Sequence, residues 1–139
     1  DYVLVEFNPM DDFSCIRKGI YQLLSGGYFP ILAHAERYSA LYASIDKVKE
    51  LIDLGAYIQV NAGSIMGQYG FGIKKCSRRL LKQELVHFVA TDAHDDVSRT
   101  PCLLGCTKYI RKKFGDEWVE RIFVDNPSHI IANEYIRRR

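Results

Sequence analysis

The chain has 139 residues, 47% hydrophobic and 26% charged, with 19 Lys plus Arg against 17 Asp plus Glu and a net charge of +2. That is one domain's worth of ordinary globular sequence, long enough to bury roughly two-thirds of its unfolded surface. The near-balanced charge offers no electrostatic footprint for nucleic acid, no run approaches the ~20 apolar residues of a membrane span, and no biased segment points to disorder.

Residues 2–7 (YVLVEF) are rich in β-branched and aromatic side chains and predict a buried strand. Asp11 and Asp12 can cap a helix whose apolar residues Phe13, Ile16, Ile20, Leu23 and Leu24 follow a helical period, with Gly26 and Gly27 as its end. Residues 29–33 predict the second strand, about 45–54 a helix stopped by Gly55, 57–61 the third strand and 86–91 the fourth. Between the last two lie a loop punctuated by Gly63 to Gly72 and a helix over about 74–84. Pro101 suits the first turn of a helix over about 101–113. Asp116 opens a short helix, and Pro127 starts a last one running to Arg137, Arg138 and Arg139. The strands recur about every 28 residues with a helical pattern in each gap. This predicts an α/β fold of parallel strands joined by right-handed crossovers, in a barrel-type arrangement with sites where the strands end. An open doubly wound sheet fits the same alternation, but no GxGxxG or GxxxxGK[ST] loop follows any strand.

The four cysteines, Cys15, Cys76, Cys102 and Cys106, lack disulfide-framework or CxxC spacing and are expected to be buried free thiols. The sequence begins at Asp1 and carries no export signal, so a piece of a longer, cytoplasmic protein is expected.

Polar residues collect where the strands stop: His34-Ala35-Glu36-Arg37 after the second, Asn61 at the end of the third, and Asp92-Ala93-His94 after the fourth. Asp92 and His94 are two apart on extended chain and can point the same way. A carboxylate and imidazoles converging there suit Mn²⁺, Fe²⁺ or Zn²⁺. The plainer alternative is an Asp capping a turn beside an exposed His; His34, at another strand end, weighs against it. Arg37 and Arg99 lie close in sequence to these donors and suit an anionic, phosphate-bearing substrate, although either could be a solvated surface charge. Glu36 is either a partner supporting the site or a surface charge, and Asn61 stands beside it as a further uncertain polar residue. His87 is expected in the core and His129 at the surface. No cysteine has an Arg six residues later, so a thiol-based phosphatase loop is excluded and phosphatase chemistry here must use metal.

Four segments then agree, in order and spacing, with one family. They are Gly27-Tyr28-Phe29-Pro30-Ile31-Leu32-Ala33-His34-Ala35-Glu36-Arg37-Tyr38; Leu51-Ile52-Asp53-Leu54-Gly55 with Gln59-Val60-Asn61; Leu85 to His94 (LVHFVATDAH); and Asp125-Asn126-Pro127. Together they resemble the bacterial PHP-type, metal-dependent tyrosine-protein phosphatases of capsule and exopolysaccharide operons, the CpsB/CapC family. The resemblance implies a distorted PHP-type (β/α)7 barrel of which residues 1–139 are the C-terminal part, the N-terminal units with their DxHxH motif and a metal-binding Glu lying outside the chain. It implies His34, Asp92 and His94 as ligands of Mn²⁺ or another divalent transition metal, with Arg37 and Arg99 as the catalytic arginines on the phosphoryl group. Hydrolysis of phosphotyrosine by a metal-activated water is the implied reaction. The implied partner is the Tyr-rich tail of a bacterial tyrosine kinase, with no nucleic acid and no membrane span, and homo-oligomerisation is left open. Two alternatives remain: a PHP-type phosphatase of a small ester such as histidinol phosphate, and a catalytically incomplete half barrel.

Overall fold

The computed structural model describes residues 1–95, 97 and 101–137. Among them, β1 (Tyr2–Val5), β2 (Phe29–Leu32), β3 (Tyr57–Asn61) and β4 (Phe88–Ala90) form one sheet in the order β1-β2-β3-β4, with every neighbouring pair parallel. A doubly wound sheet reverses its strand order at a switch point. The described strands follow one another in sequence order without reversal, as in a barrel.

The intervening helices are α1 (Phe13–Ser25), α2 (Ser39–Tyr42), α3 (Ile45–Leu54), α4 (Ala62–Met66) and α5 (Phe71–Lys82). After β4 come α6 (Leu104–Phe114), α7 (Asp116–Glu120), a π-helical turn (Arg121–Asp125) and α8 (Asn126–Ala132). Asp12 caps α1 as expected, its Oδ1 accepting from the Cys15 amide at 2.9 Å. The carboxyl is held below its usual range by the Ser14 hydroxyl and then by that amide. Gly55 stops α3 with φ +132°, a conformation L side chains rarely adopt.

Strand alternation divides the sheet into two faces. Leu32, Ile58, Val60 and Val89 face the helices and join Ile16, Ile20, Val48, Leu51, Leu80 and Ile110 in the main core. The opposite face carries a smaller cluster of Ile31, Tyr57, Phe88 and Ile136, with Tyr2 and Phe29 packed on it. The C-terminal tail returns to this inner face, where the buried Tyr57 hydroxyl donates to the Ile136 carbonyl at 2.8 Å. Tyr57→Phe removes that bond and leaves the carbonyl unpaired, so it is expected to cost roughly 1 kcal/mol in a urea unfolding titration. A variant as stable as the parent would show that the tail contributes nothing there.

Several boundaries differ from the sequence expectation. The first strand stops at Val5 and the fourth spans only Phe88–Ala90, because the chain turns toward polar contacts where the sheet pairing ends. The glycine-punctuated loop contains a helical turn, α4, and α5 begins at Phe71. The last helix ends at Ala132, where Asn133 takes a left-handed cap at φ 54°, so Arg137 is not in a helix; Arg138 and Arg139 lie outside the described residues. Of the cysteines, only Cys106 is buried; Cys76 is half-buried, and Cys15 and Cys102 are exposed. The two exposed ones sit on the solvent side of α1 and in the segment before α6, where a thiol needs no burial. Burial pushes the Cys76 thiol up to about 11 and the Cys106 thiol to about 12, the opposite of what a nucleophile needs. No helix among the described residues is long and apolar enough to cross a membrane.

Candidate active site

The carboxyl ends of all four strands meet at one edge. A cleft of about 190 Å³ there is lined by Glu6, Phe7, Pro9, His34, Arg37, Asp92 and His94. A larger cavity of about 310 Å³ lies around His87, Asn126 and Tyr135, at the other end of the strands. The smaller cleft is the better candidate, because ionisable groups from three strands converge on it.

Two of its residues occupy the left-handed backbone region: His34 at φ 36° and Asp92 at φ 54°. Non-glycine residues held there cost roughly 1–3 kcal/mol each, and such strain clusters at functional sites. In both cases it lies just beyond a strand end, where it redirects a side chain that would otherwise continue the pleat.

His34 is buried, its ring tilted against Tyr38 at 5.6 Å, and its Nε2 lies 3.4 Å from Glu6 Oε1. Its Nδ1 is buried with no hydrogen-bond partner among the described residues. Tyr38 clamps the neighbouring strand end: its hydroxyl accepts from the Phe7 amide at 3.1 Å, and burial raises the phenol to about 12. At the fourth strand, His94 Nδ1 lies 2.8 Å from the Asp92 carbonyl. A ring nitrogen facing a carbonyl must donate, so Nε2 of neutral His94 carries the lone pair, the arrangement seen in metal-bound histidines. His94 Nδ1 also lies 3.8 Å from Asp92 Oδ1. Arg37 Nη1 stands 3.6 Å from Asp92 Oδ2, and the Arg37 guanidinium lies over the Tyr69 ring at 5.3 Å.

Below the cleft the polar groups are fully enclosed. Asn61 Nδ2 donates to Asp92 Oδ2 at 2.9 Å, Gln59 Nε2 donates to Asn61 Oδ1 at 2.8 Å, and the Asn61 amide donates to Glu36 Oε1 at 3.1 Å. The Ser64 hydroxyl also bonds Glu36 Oε1. Glu36 is 0% exposed, so it is no surface charge. Burial pushes its carboxyl up to about 7, against the hydrogen bonds from Ser64 and Asn61 that favour the ionised form. Its Oε2 is buried with no hydrogen-bond partner among the described residues.

The structure therefore brings together His34, Arg37, Asp92 and His94, with Glu36 and Asn61 beneath them. Arg99 lies outside the described residues. His87 is in the core as expected, its Nδ1 accepting from the Ile58 amide, and His129 is half-exposed on α8. Glu6 is the unexpected member. It sits inside an apolar run and reads there as strand, while the family resemblance puts its metal-binding glutamate outside the chain. The signal lies in the alternation: Tyr2, Leu4 and Glu6 occupy one side of the first strand, the side that carries Tyr57 and Asn61 on the third.

Two imidazoles and two carboxylates suit a borderline divalent ion, and His34 turns its Nε2 toward Glu6 in the cleft. Among the described residues, however, no three His, Cys, Asp or Glu side chains converge tightly enough to hold an ion as they stand.

Residues 1–132 match the family model described as "Capsular polysaccharide synthesis, CpsB/CapC". The chain belongs to the CpsB/CapC family. It is 38% identical over 140 residues to the tyrosine-protein phosphatase CpsB of Streptococcus pneumoniae, covering 97% of this chain and 58% of that protein. It is 32% identical to the tyrosine-protein phosphatase YwqE of Bacillus subtilis, covering 99% of this chain and 54% of that one. Its fold superimposes with a TM-score of 0.89, at 30% identity, on a crystal structure from work on B. subtilis YwqE and S. pneumoniae CpsB, described there as unique metal-dependent tyrosine phosphatases. That match covers 99% of this chain and 56% of the other. The chain thus spans little more than half the length of the CpsB/CapC relatives it matches, and its parallel α/β architecture is that of the PHP-type phosphatase fold.

Proposed function

We propose that this chain carries part of the active site of a Mn²⁺-dependent protein-tyrosine phosphatase. The observation that carries the reading is the convergence of Glu6, His34, Arg37, Asp92 and His94 on one cleft at the carboxyl ends of β1, β2 and β4 of one parallel sheet. Glu6, His34, Asp92 and His94 would hold the divalent ion, which when bound supplies Lewis acidity beside the phosphoryl group. Arg37, about one-third exposed and supported from below by Tyr69, binds phosphoryl oxygens and offsets charge as it builds on them. Arg99 is assigned the same task on the family resemblance. The substrate is a phosphotyrosine protein, the tyrosine-rich tail of a bacterial tyrosine kinase of capsule or exopolysaccharide synthesis, which the enzyme meets in the cytoplasm. Assembly of the enzyme as a homo-oligomer is compatible with this role.

We further propose that residues 1–139 are one partial barrel domain. Leu4 lies on the edge strand, 61% exposed, on the side that the described sheet leaves open. In a closed barrel that position is interior. The remaining metal donors then come from outside this sequence.

The reading is tested by assaying full-length enzyme with Mn²⁺ on a phosphotyrosine peptide and on histidinol phosphate. Higher kcat/KM on the peptide is expected; preference for the small ester overturns the substrate assignment. A second reading applies to the 139-residue chain by itself. Because no three of these donors, as they stand, lie close enough together to hold an ion among the described residues, this chain is expected to bind Mn²⁺ weakly in a calorimetric titration and to show no turnover. Tight binding of two or more ions with turnover would remove the partial-site reading.

A further inference from the structure

The inner face of β3 carries an expensive choice. Tyr57, Gln59 and Asn61 alternate on that face, and Gln59 is only 5% exposed among Ile31, Tyr57 and Phe88 below it. Burying an amide there is unfavourable unless its hydrogen bonds are made. Gln59 Nε2 donates to Asn61 Oδ1 at 2.8 Å, and that bond determines the orientation of the next amide. With Oδ1 occupied as acceptor, Asn61 must present Nδ2, its only side-chain donor, to Asp92 Oδ2 at 2.9 Å. The backbone of Asn61 is pinned independently, its N–H donating to Glu36 Oε1. Asn61 therefore has its main chain and both ends of its side-chain amide engaged, and it is 0% exposed.

We propose that Gln59 and Asn61 form a buried relay that fixes the carboxylate of Asp92, with Gln59 as a positioning residue two hydrogen bonds from the cleft. The inference rests on the reading of Asp92 as a metal-holding residue. Asp92 follows the last strand in a left-handed conformation, beyond the sheet's own hydrogen bonds. The relay tethers Oδ2 to the sheet, on the side facing Arg37, and turns Oδ1 toward His94. The polarity of the chain matters as much as its presence. An acceptor at position 59 forces the Asn61 amide to turn over and sets its oxygen against a carboxylate oxygen.

The test uses the full-length protein and reads Mn²⁺ affinity by calorimetry, along with peptide turnover. Partners that orient metal-binding side chains typically matter 10–100-fold. Gln59→Glu is expected to weaken Mn²⁺ binding about 10-fold or more, with kcat falling and KM for the peptide unchanged once metal saturates. Gln59→Met and Asn61→Ala are each expected to weaken it about 10-fold. Because they break one chain, the double variant should bind no worse than Asn61→Ala alone. Additive losses, or parent affinity in Gln59→Glu, overturn the relay. A purely structural role would lower the melting temperature of these variants without moving metal affinity, and that result also overturns it. Should Gln59→Glu not fold, the Gln59→Met and Asn61→Ala cycle decides. Asp92→Ala, measured alongside, separates the two levels of the inference. If it keeps parent affinity, the metal reading of Asp92 fails; if it loses the ion while the relay variants do not, the relay alone fails.

Discussion

Arg37→Ala in the full-length enzyme should lower kcat on a phosphotyrosine peptide by about 10²–10³-fold while leaving the metal in place. That is the size of effect seen when one donor aimed at developing charge is removed. The geometry predicts the split. Arg37 reaches Asp92 Oδ2 only at 3.6 Å, and Asp92 already holds a 2.9 Å bond from Asn61 on that oxygen, so the carboxylate keeps its position without the guanidinium. Removing a fixed cation beside a cation site also favours a second cation, so Mn²⁺ affinity should stay level or tighten. Asp92→Ala and His34→Ala should behave differently and lose metal and activity together. Two measurements on each variant suffice: calorimetric Mn²⁺ affinity, and kcat at saturating metal. An Arg37→Ala enzyme with parent kcat would remove the arginine from the reaction. One that lost the ion would make Arg37 a structural partner of Asp92.

Much of this arrangement is legible in the sequence because each βα unit is locally consistent. Ile45–Leu54 and Tyr57–Asn61 appear where the apolar period and Gly55 place them. His34, Arg37, Asp92 and His94 declare themselves by following apolar runs, since a parallel strand carries its polar residues past its carboxyl end. Other features depend on contacts between distant segments. Glu36 looks like any charged residue after a strand. It is buried because Ser64 and the Asn61 amide, on the next unit, enclose its carboxyl, and no local pattern announces that. Glu6 is hidden by its neighbours: in a run of Val, Leu and Phe the eye assigns strand and loses the parity that turns a single acidic residue inward. The helix starts drift for a related reason. Pro101 is a good first-turn residue, yet α6 begins at Leu104, because helix onset is settled by packing on Cys106 and Ile110 rather than by the proline.

The buried carboxyl of Glu36 should give the protein a pH-dependent stability of its own. Burial is the dominant influence, lifting the folded-state value to about 7 from an ordinary 4.5. The folded protein thus holds this proton across a range where the unfolded chain has released it. With more protons bound in the native state, stability falls as pH rises. The contribution is complete below about 4.5 and is lost as pH climbs through about 7. At ~1.4 kcal/mol per pH unit, the window corresponds to roughly 3 kcal/mol, an order-of-magnitude figure. Glu36→Gln keeps the shape and an acceptor for Ser64 and the Asn61 amide but cannot ionise, so it should lack this dependence. The comparison is made on chelator-treated protein, because a divalent ion nearby would itself favour the carboxylate. Urea unfolding of parent and variant at pH 5 and pH 8 then gives a difference of differences in which other titrating groups cancel. The parent should lose roughly 2–3 kcal/mol more than the variant on going from pH 5 to pH 8, because pH 5 already lies above 4.5. Equal losses would mean that Glu36 is ionised throughout, held in that state by Ser64, Asn61 and the neighbouring Arg37 despite its complete enclosure.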